Sequence, residues 1–418
     1  MVSKSDLFIM NFFISGIIYL FSAFLLFKSK RLLYPSIVFC VMWGLACLSI
    51  SLVQYDILFP DMKEYFAFKY MNEYILYFTF VSVLAFFIIF PKKNIIFYDK
   101  IPLDSLNQLL ERYHFIMYLS FIIGMLRIII FISLFNVYTL FDYRQAFVTN
   151  SLSGYVGFFF RIGNWIQMLA DIYIALLGYY HGKTYFDTKK VLINFILFSS
   201  LQISTGGRLF ILYFISFYLC SFAIGRYFSH RHPFLSHSER INVLGLIISL
   251  MAIFSIMGVS RNSNSENVTN EDYYQKFMYI TDGIQTTDYC MSLFNNKFEP
   301  DLGLNTFTPS GGNNLMKYRE AKVGTRNEVM VYSILVPLYL DFKYFGSLVA
   351  WFFIALFIGI ITNRCLRNLN IMKFLLLIMI IKIYYESVIF HSFSTNYPFI
   401  ELLIVLYLFR KLIFKGAL

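Results

Sequence analysis

The sequence predicts an all-α polytopic integral membrane protein, and three observations predict it. Hydrophobic residues make up 58% of 418 residues and charged residues only 14%, a balance that leaves too little polar surface to cover a water-soluble domain of this size. Apolar stretches of the ~20 residues that a helix needs to cross ~30 Å of hydrocarbon recur along the chain, too long for the strands of a membrane barrel. Lys and Arg collect on alternate loops, as they do beside membrane-spanning helices.

The apolar stretches read, in order, Leu7–Phe27, Tyr34–Gln54, Phe66–Phe90, His114–Phe135, Gly157–Tyr180, Val191–Thr205, Arg208–Gly225, Ile241–Val259, Tyr344–Asn363, Ile371–Phe390 and Pro398–Phe414. That is about 11 transmembrane helices. The first is long, has no basic region before it and is followed by Lys28, Lys30 and Arg31, so it reads as a permanent anchor rather than a cleaved signal. Val329–Leu340 adds a further half-span or a helix lying at the interface.

Between the eighth and ninth spans lies one large polar loop, Ser260 to Asp341. The expected organisation is therefore an N-terminal bundle of about eight helices (1–259), the loop (260–341) and about three C-terminal helices (342–418). Basic residues such as Lys28, Arg31, Lys92, Lys93, Arg112, Lys189, Lys190, Arg226, Arg364, Arg367, Arg410 and Lys411 share one side, whereas the short loops opposite hold only Lys4, Lys63, Lys69 and Arg144. The asymmetry places the N-terminus and the large loop outside the cytoplasm and the C-terminus inside.

The same distribution accounts for the net charge of +11. Dispersed basic residues beside spans suit anionic lipid headgroups, and nucleic acid is not expected as a partner. Cys40, Cys47, Cys220 and Cys365 fall in or beside spans, and Cys290 alone lies in the outer loop. No disulfide pair and no zinc spacing results. There is no phosphate-binding glycine loop and no Asp-x-Asp pair, so neither a cofactor nor a metal is expected.

Ionisable residues inside spans usually face protein or a water-filled cavity. Lys382 and Glu386 are spaced to neutralise each other on one helix face, and Asp171 reads either as a functional carboxylate or as the buried partner of Arg127 or Arg161. Arg208 follows Ser204-Thr205-Gly206-Gly207 at an outer turn. Two glycines permit a tight reversal, and a guanidinium offers a planar fork of donors for phosphate or carboxylate; the alternative is a turn whose Arg reaches to lipid phosphate. Tyr273, Tyr274, Tyr279, Tyr289, Tyr318 and Tyr332 of the loop supply ring faces on which sugars stack.

The Ser-Thr-Gly-Gly-Arg turn, the large outer loop, Asn305-Thr306-Phe307-Thr308 within it, and Tyr339-Leu340-Asp341-Phe342-Lys343-Tyr344-Phe345-Gly346 opening the next span together resemble the Wzy-type O-antigen polymerases, oligosaccharide repeat-unit polymerases of bacterial surface polysaccharides. The chain departs from that family in lacking paired Arg-x10-Gly repeats in its outer loops. The resemblance implies an inner-membrane enzyme that moves a glycan from undecaprenyl diphosphate onto an incoming lipid-linked repeat unit at the periplasmic face, with a chain-length regulator as a further partner. A flippase of lipid-linked oligosaccharide and an O-antigen ligase are the alternatives; a ligase would carry a His in its large loop, and this loop has none. Such chemistry needs a base for the acceptor hydroxyl and cations for the departing diphosphate. Glu328, Asp341 and His391 are the candidate bases, and Arg161, Arg208, Arg261, Arg319 and Arg326 the candidate diphosphate or glycan contacts.

Overall fold

The computed structural model describes residues 4–28, 35–54, 70–89, 98–135, 154–203, 209–229, four positions between 241 and 248, 270–295, 297–308, 312–322, 333–388 and 397–408. The described part is mostly helical (88%). Its helices are α1 (Lys4–Lys28), α2 (Pro35–Gln54), α3 (Met71–Ile88), α4 (Leu103–Tyr113), α5 (Phe115–Phe135), α6 (Gly154–Lys183), α7 (Thr188–Ile203), α8 (Leu209–Phe228), α9 (Asn270–Phe294), α10 (Leu304–Phe307), α11 (Asn313–Lys322), α12 (Leu335–Arg367), α13 (Ile371–Glu386) and α14 (Tyr397–Leu408). Two two-residue strands, β1 (Tyr98–Asp99) and β2 (Asn368–Leu369), complete the described elements.

Every apolar stretch of the sequence that falls among the described residues coincides with one of these helices; Ile241–Val259 lies almost wholly outside them. Among the described residues four helical segments are long and apolar enough to cross a membrane: Pro35–Leu52, Met71–Ile88, Leu103–Ile130, which runs from α4 on into α5, and Leu335–Arg367. On the last of these Phe353 is 62% and Phe357 65% exposed. Rings so bare on long apolar helices find their complement in hydrocarbon rather than in water.

The chain divides into two compact units, each drawn from separated stretches of sequence. One unit contains residues 1–97, 269–368 and 379–404. Its centre is an aromatic stack: Phe39 stacks on Trp351 at 5.3 Å and on Trp43 at 5.7 Å, with the planes inclined by 23° and 28°, and Phe78 lies 4.9 Å from Trp43. The polar tips of these rings all find partners, as buried donors must. Trp351 Nε1 and Tyr19 Oη both donate to Ser82 Oγ, at 2.8 and 3.4 Å, Trp43 Nε1 donates to Ser387 Oγ at 2.9 Å, and Tyr74 Oη pairs with Ser347 Oγ at 2.8 Å.

The polar stretch that the sequence reads as a loop contributes a 25-residue helix, α9, to this unit. Thr281, Ile284, Thr286, Thr287, Cys290 and Met291 are buried, and the helix packs against α2, α3 and α12. A hydropathy reading misses it because its buried face is built largely from threonine and glycine. Thr286 and Thr287 return their hydroxyls to the Gly283 carbonyl at 3.1 and 2.7 Å. At Gly283 itself a Cβ would run into the Val388 carbonyl, so only glycine permits this approach. Asp288 Oδ1 accepts the backbone N–H of Tyr70 and of Met71, each at 2.7 Å, placing a carboxylate at the positive end of α3.

Of the half-span read at Val329–Leu340, residues 329–332 lie outside the described residues and the remainder leads into the first part of α12. Residues 333–341 are all buried. The helix then breaks at Lys343, whose φ of 59° and ψ of −170° are not helical, and resumes toward Arg367. The start of the broken segment is held by Ile334 N–H on the Ser387 carbonyl at 2.8 Å and by Thr287 Oγ1 against Ser333 Oγ at 2.8 Å.

The other unit contains residues 98–268, 369–378 and 405–418. Its tightest crossing joins α6 and α8, where the Gly178-x-x-x-Gly182 face meets Gly225: a Cβ at Gly178, Gly182 or Gly225 would strike the carbonyl of Tyr218, Phe222 or Tyr179 respectively. Small residues at this spacing let helix backbones touch within a bilayer, where the hydrophobic effect cannot drive association. Before α4, Lys183 forms an ion pair with Asp99 and donates to the Ile101 carbonyl at 3.0 Å.

Helix α4 falls within residues read from the sequence as a connecting loop. It is amphipathic, with Leu106, Leu109 and Leu110 buried and Glu111 and Arg112 exposed. That pattern suits a helix lying at a membrane interface. Between α4, α5 and α6 is an apolar cavity of ≈ 250 Å³ bordered by Leu110, Ile116, Leu119, Ile166 and Tyr173.

Candidate functional site

A dense polar constellation joins the two sequence motifs at Asn305-Thr306 and Asp341. Asp341 is fully buried and lies near the end of the first segment of α12, two residues before the break at Lys343. Its Oδ1 accepts the backbone N–H of Asn305 at 2.9 Å and the Asn305 side-chain amide at 2.8 Å. Its Oδ2 accepts the backbone N–H of Thr306 at 2.7 Å and the Thr306 hydroxyl at 2.6 Å. Four donors fill the four lone-pair positions of one carboxylate, and bonds to an ionised acceptor are the strong kind.

A second carboxylate extends the network. Asp301 Oδ2 accepts from Asn305 Nδ2 and from the Asn314 backbone N–H, both at 2.9 Å. Asn305 Oδ1 in turn receives the Gly312 N–H at 2.7 Å, and Asn314 Nδ2 donates to the Glu299 carbonyl at 2.7 Å. At Gly312 an added Cβ would meet the Asp301 carboxylate at 2.5 Å; the site has no room for a side chain there. Tyr318 Oη closes the arrangement on α9 through the Thr286 carbonyl at 3.0 Å.

The break in α12 allows this docking. Interrupting the helix frees the carbonyls of Leu340 and Asp341, and these accept the backbone N–H of Asp301 at 3.2 Å and of Leu302 at 3.3 Å. Helix ends leave such carbonyls unsatisfied unless something supplies donors. The cost falls on Lys343, because a non-glycine residue in this backbone region is strained by ~1–3 kcal/mol. Its ammonium lies 5.7 Å from the centre of the Phe298 ring.

Of the candidate bases and diphosphate contacts expected from the sequence, Asp341 is the one whose side chain is described; of the loop tyrosines expected to stack on sugars, Tyr318 is instead fully buried, with its hydroxyl on the Thr286 carbonyl. The Asp341 carboxylate is saturated by Asn305 and Thr306 and, as arranged, offers no lone pair to a substrate hydroxyl. The backbone of Arg161 lies in α6 and that of Arg319 in α11, but their side chains are outside the described residues, as are Arg208, Arg261, Arg326, Glu328 and His391 altogether. Cys290, read as a loop residue, is buried on α9.

Among the ionisable residues of the spans, Lys382 and Glu386 face each other at 3.8 Å, one helical turn apart. Asp171 accepts from Gln167 Nε2 at 3.0 Å. Arg127 is buried and its guanidinium lies against Gly163, where a Cβ would collide with it.

Sequence reasoning did not select Asp301, Asn314, Gly312 and Lys343. A motif signal existed for Asn305 and Lys343, which lie in the two quoted motifs. The chain matches no family model, no curated protein and no solved structure.

Proposed function

We propose that this protein polymerises undecaprenyl-diphosphate-linked oligosaccharide repeat units into O-antigen or capsule-type polysaccharide at the periplasmic face of the bacterial inner membrane. The observation that carries the reading is the Asp341–Asn305–Thr306 junction. Two short motifs that resemble the polymerase family, 36 residues apart in sequence, form a single buried contact. That contact fastens a polar segment to the head of an apolar helix, the kind of place where a lipid-linked glycan meets an enzyme.

In the proposed reaction a hydroxyl of the incoming repeat unit attacks the anomeric carbon of the glycan held on the donor lipid. A carbon–oxygen bond forms there, the bond from that carbon to diphosphate breaks, and undecaprenyl diphosphate departs with the electron pair. Glu328 or His391 takes the hydroxyl proton. Arg161, Arg208 and Arg261, with Arg319 and Arg326 in the segment, stabilise the departing diphosphate. Asp341 acts through Asn305 and Thr306, ordering the segment over the bilayer, and is a positioning residue rather than the base.

Deletion of the gene tests the reading. The strain is expected to carry single repeat units on its surface acceptor, because attachment survives when elongation stops. Complete loss of surface glycan would point to transport of the lipid-linked unit instead.

A further inference from the structure

Lys343 and the side chains around it carry an inference that deepens the proposed function and rests on it. The break in α12 serves the docking of Asp301 and Leu302, but docking does not require lysine. Glycine would adopt φ 59° and ψ −170° without the steric conflict of a Cβ. A strained lysine where glycine would suffice implies that its side chain is used, and its contact with the Phe298 ring, 5.7 Å from the ring centre, engages one face of the ammonium and not all three of its N–H donors. Among the described residues Lys343 forms no ion pair: the nearby Asp341 carboxylate is filled by Asn305 and Thr306, and Asp301 is engaged by Asn305 and Asn314.

The second observation is independent. The segment docked at the break displays Leu302 at 77%, Leu304 at 53% and Phe307 at 56% exposure, and Phe345, two residues past Lys343, is 76% exposed. Four large apolar side chains bared within so short a docked segment and just past the break suit a surface lying against hydrocarbon better than one bathed in water. Cation and apolar rim together complement an amphiphile with an anionic head and a long hydrocarbon tail.

We propose that Lys343 receives the diphosphate of a polyprenyl diphosphate lipid whose chain lies along Leu302, Leu304, Phe307 and Phe345. Ammonium donors bind phosphate oxygens as point charges, and the break holds this ammonium at the point where the polar segment meets the membrane helix.

The test compares the full-length wild type with Lys343→Gly, Lys343→Gln and Lys343→Arg in nanodiscs, measuring binding of undecaprenyl diphosphate and of phosphatidylglycerol together with melting temperature. Lys343→Gly relieves the backbone, so it is expected to melt higher than wild type while binding undecaprenyl diphosphate about tenfold more weakly, the worth of one charge-assisted contact. Lys343→Gln is expected to lose a similar factor, and Lys343→Arg to stay within about threefold of wild type. Unchanged undecaprenyl diphosphate binding by Lys343→Gln and Lys343→Gly overturns the inference and leaves the proposed function standing. Equal weakening toward phosphatidylglycerol makes Lys343 a general lipid contact and also overturns it. Failure of the wild type to bind undecaprenyl diphosphate removes the proposed function itself, and the inference with it.

Discussion

Asp341 holds Asn305 twice, through the backbone N–H at 2.9 Å and the side-chain amide at 2.8 Å, on the same carboxylate oxygen. The other oxygen does the same for Thr306. A buried carboxylate with four donors ties the segment at 301–307 to the membrane helix more firmly than any apolar contact of that short stretch, whose Leu302, Leu304 and Phe307 point away from the core.

Replacement of Asp341 is therefore expected to release that segment without dissolving the bundle. Asp341→Ala strands four donors in a dry site, at ~1–3 kcal/mol for each that finds no new partner. Hydrogen exchange should show lost protection at residues 301–307 while the amides of α2 and α3 keep theirs. Thr306→Val, which removes one of the four bonds, should cost about 1 kcal/mol. Unaltered exchange at 301–307 in Asp341→Ala would show that other contacts order the segment.

The α6–α8 crossing makes a separate prediction. Gly182→Leu places a branched side chain where the Phe222 carbonyl and the Arg226 backbone already sit, and overpacking of this kind costs ~1–3 kcal/mol or more where backbone must move. The detergent-solubilised variant should melt below wild type, and Gly245→Leu, at a glycine that meets no atom of the described residues within 4 Å, should not. Equal melting of the two variants would remove the close helix approach.

Sidedness is open to chemical labelling. Lys297 is exposed on the polar segment and Cys290 is buried on α9. In spheroplasts a membrane-impermeant maleimide is expected to label Lys297→Cys and to leave the native Cys290 unmodified until the protein is denatured. Labelling of Lys297→Cys only after the membrane is opened would place the segment in the cytoplasm.

The arginines assigned to diphosphate give a functional prediction. Arg208→Ala and Arg261→Ala should each abolish long glycan chains at unchanged protein abundance, on the scale of the 10²–10³-fold loss that removal of one transition-state donor brings in other enzymes. Wild-type chain lengths in both variants would exclude these residues from the reaction.

The long apolar helices were legible in the sequence because continuous apolar runs of helical length have few other solutions, and α1, α2, α5, α6 and α8 fall within a few residues of the expected bounds. Helix α9 was not, since Thr281, Thr286 and Thr287 form much of its buried face and hide it from hydropathy. Helix α4 left a readable trace in the spacing of Leu106, Leu109 and Leu110 against Glu111 and Arg112, but its length of 11 residues falls short of a span. At the site, the sequence offered Asp341 and the Asn305-Thr306 motif as separate features. Their pairing across 36 residues is a tertiary fact that one sequence does not encode visibly, and nothing in a run of Phe-Lys-Tyr marks Lys343 as the residue at a helix break.

The most direct measurement is incubation of purified protein, reconstituted in lipid, with its native undecaprenyl-diphosphate-linked repeat unit and no nucleotide sugar. The account predicts a ladder of products spaced by one repeat unit, with undecaprenyl diphosphate released in step. Recovery of the repeat unit unchanged by a folded, lipid-binding preparation, or elongation that occurs only when a nucleotide sugar is added, would contradict it.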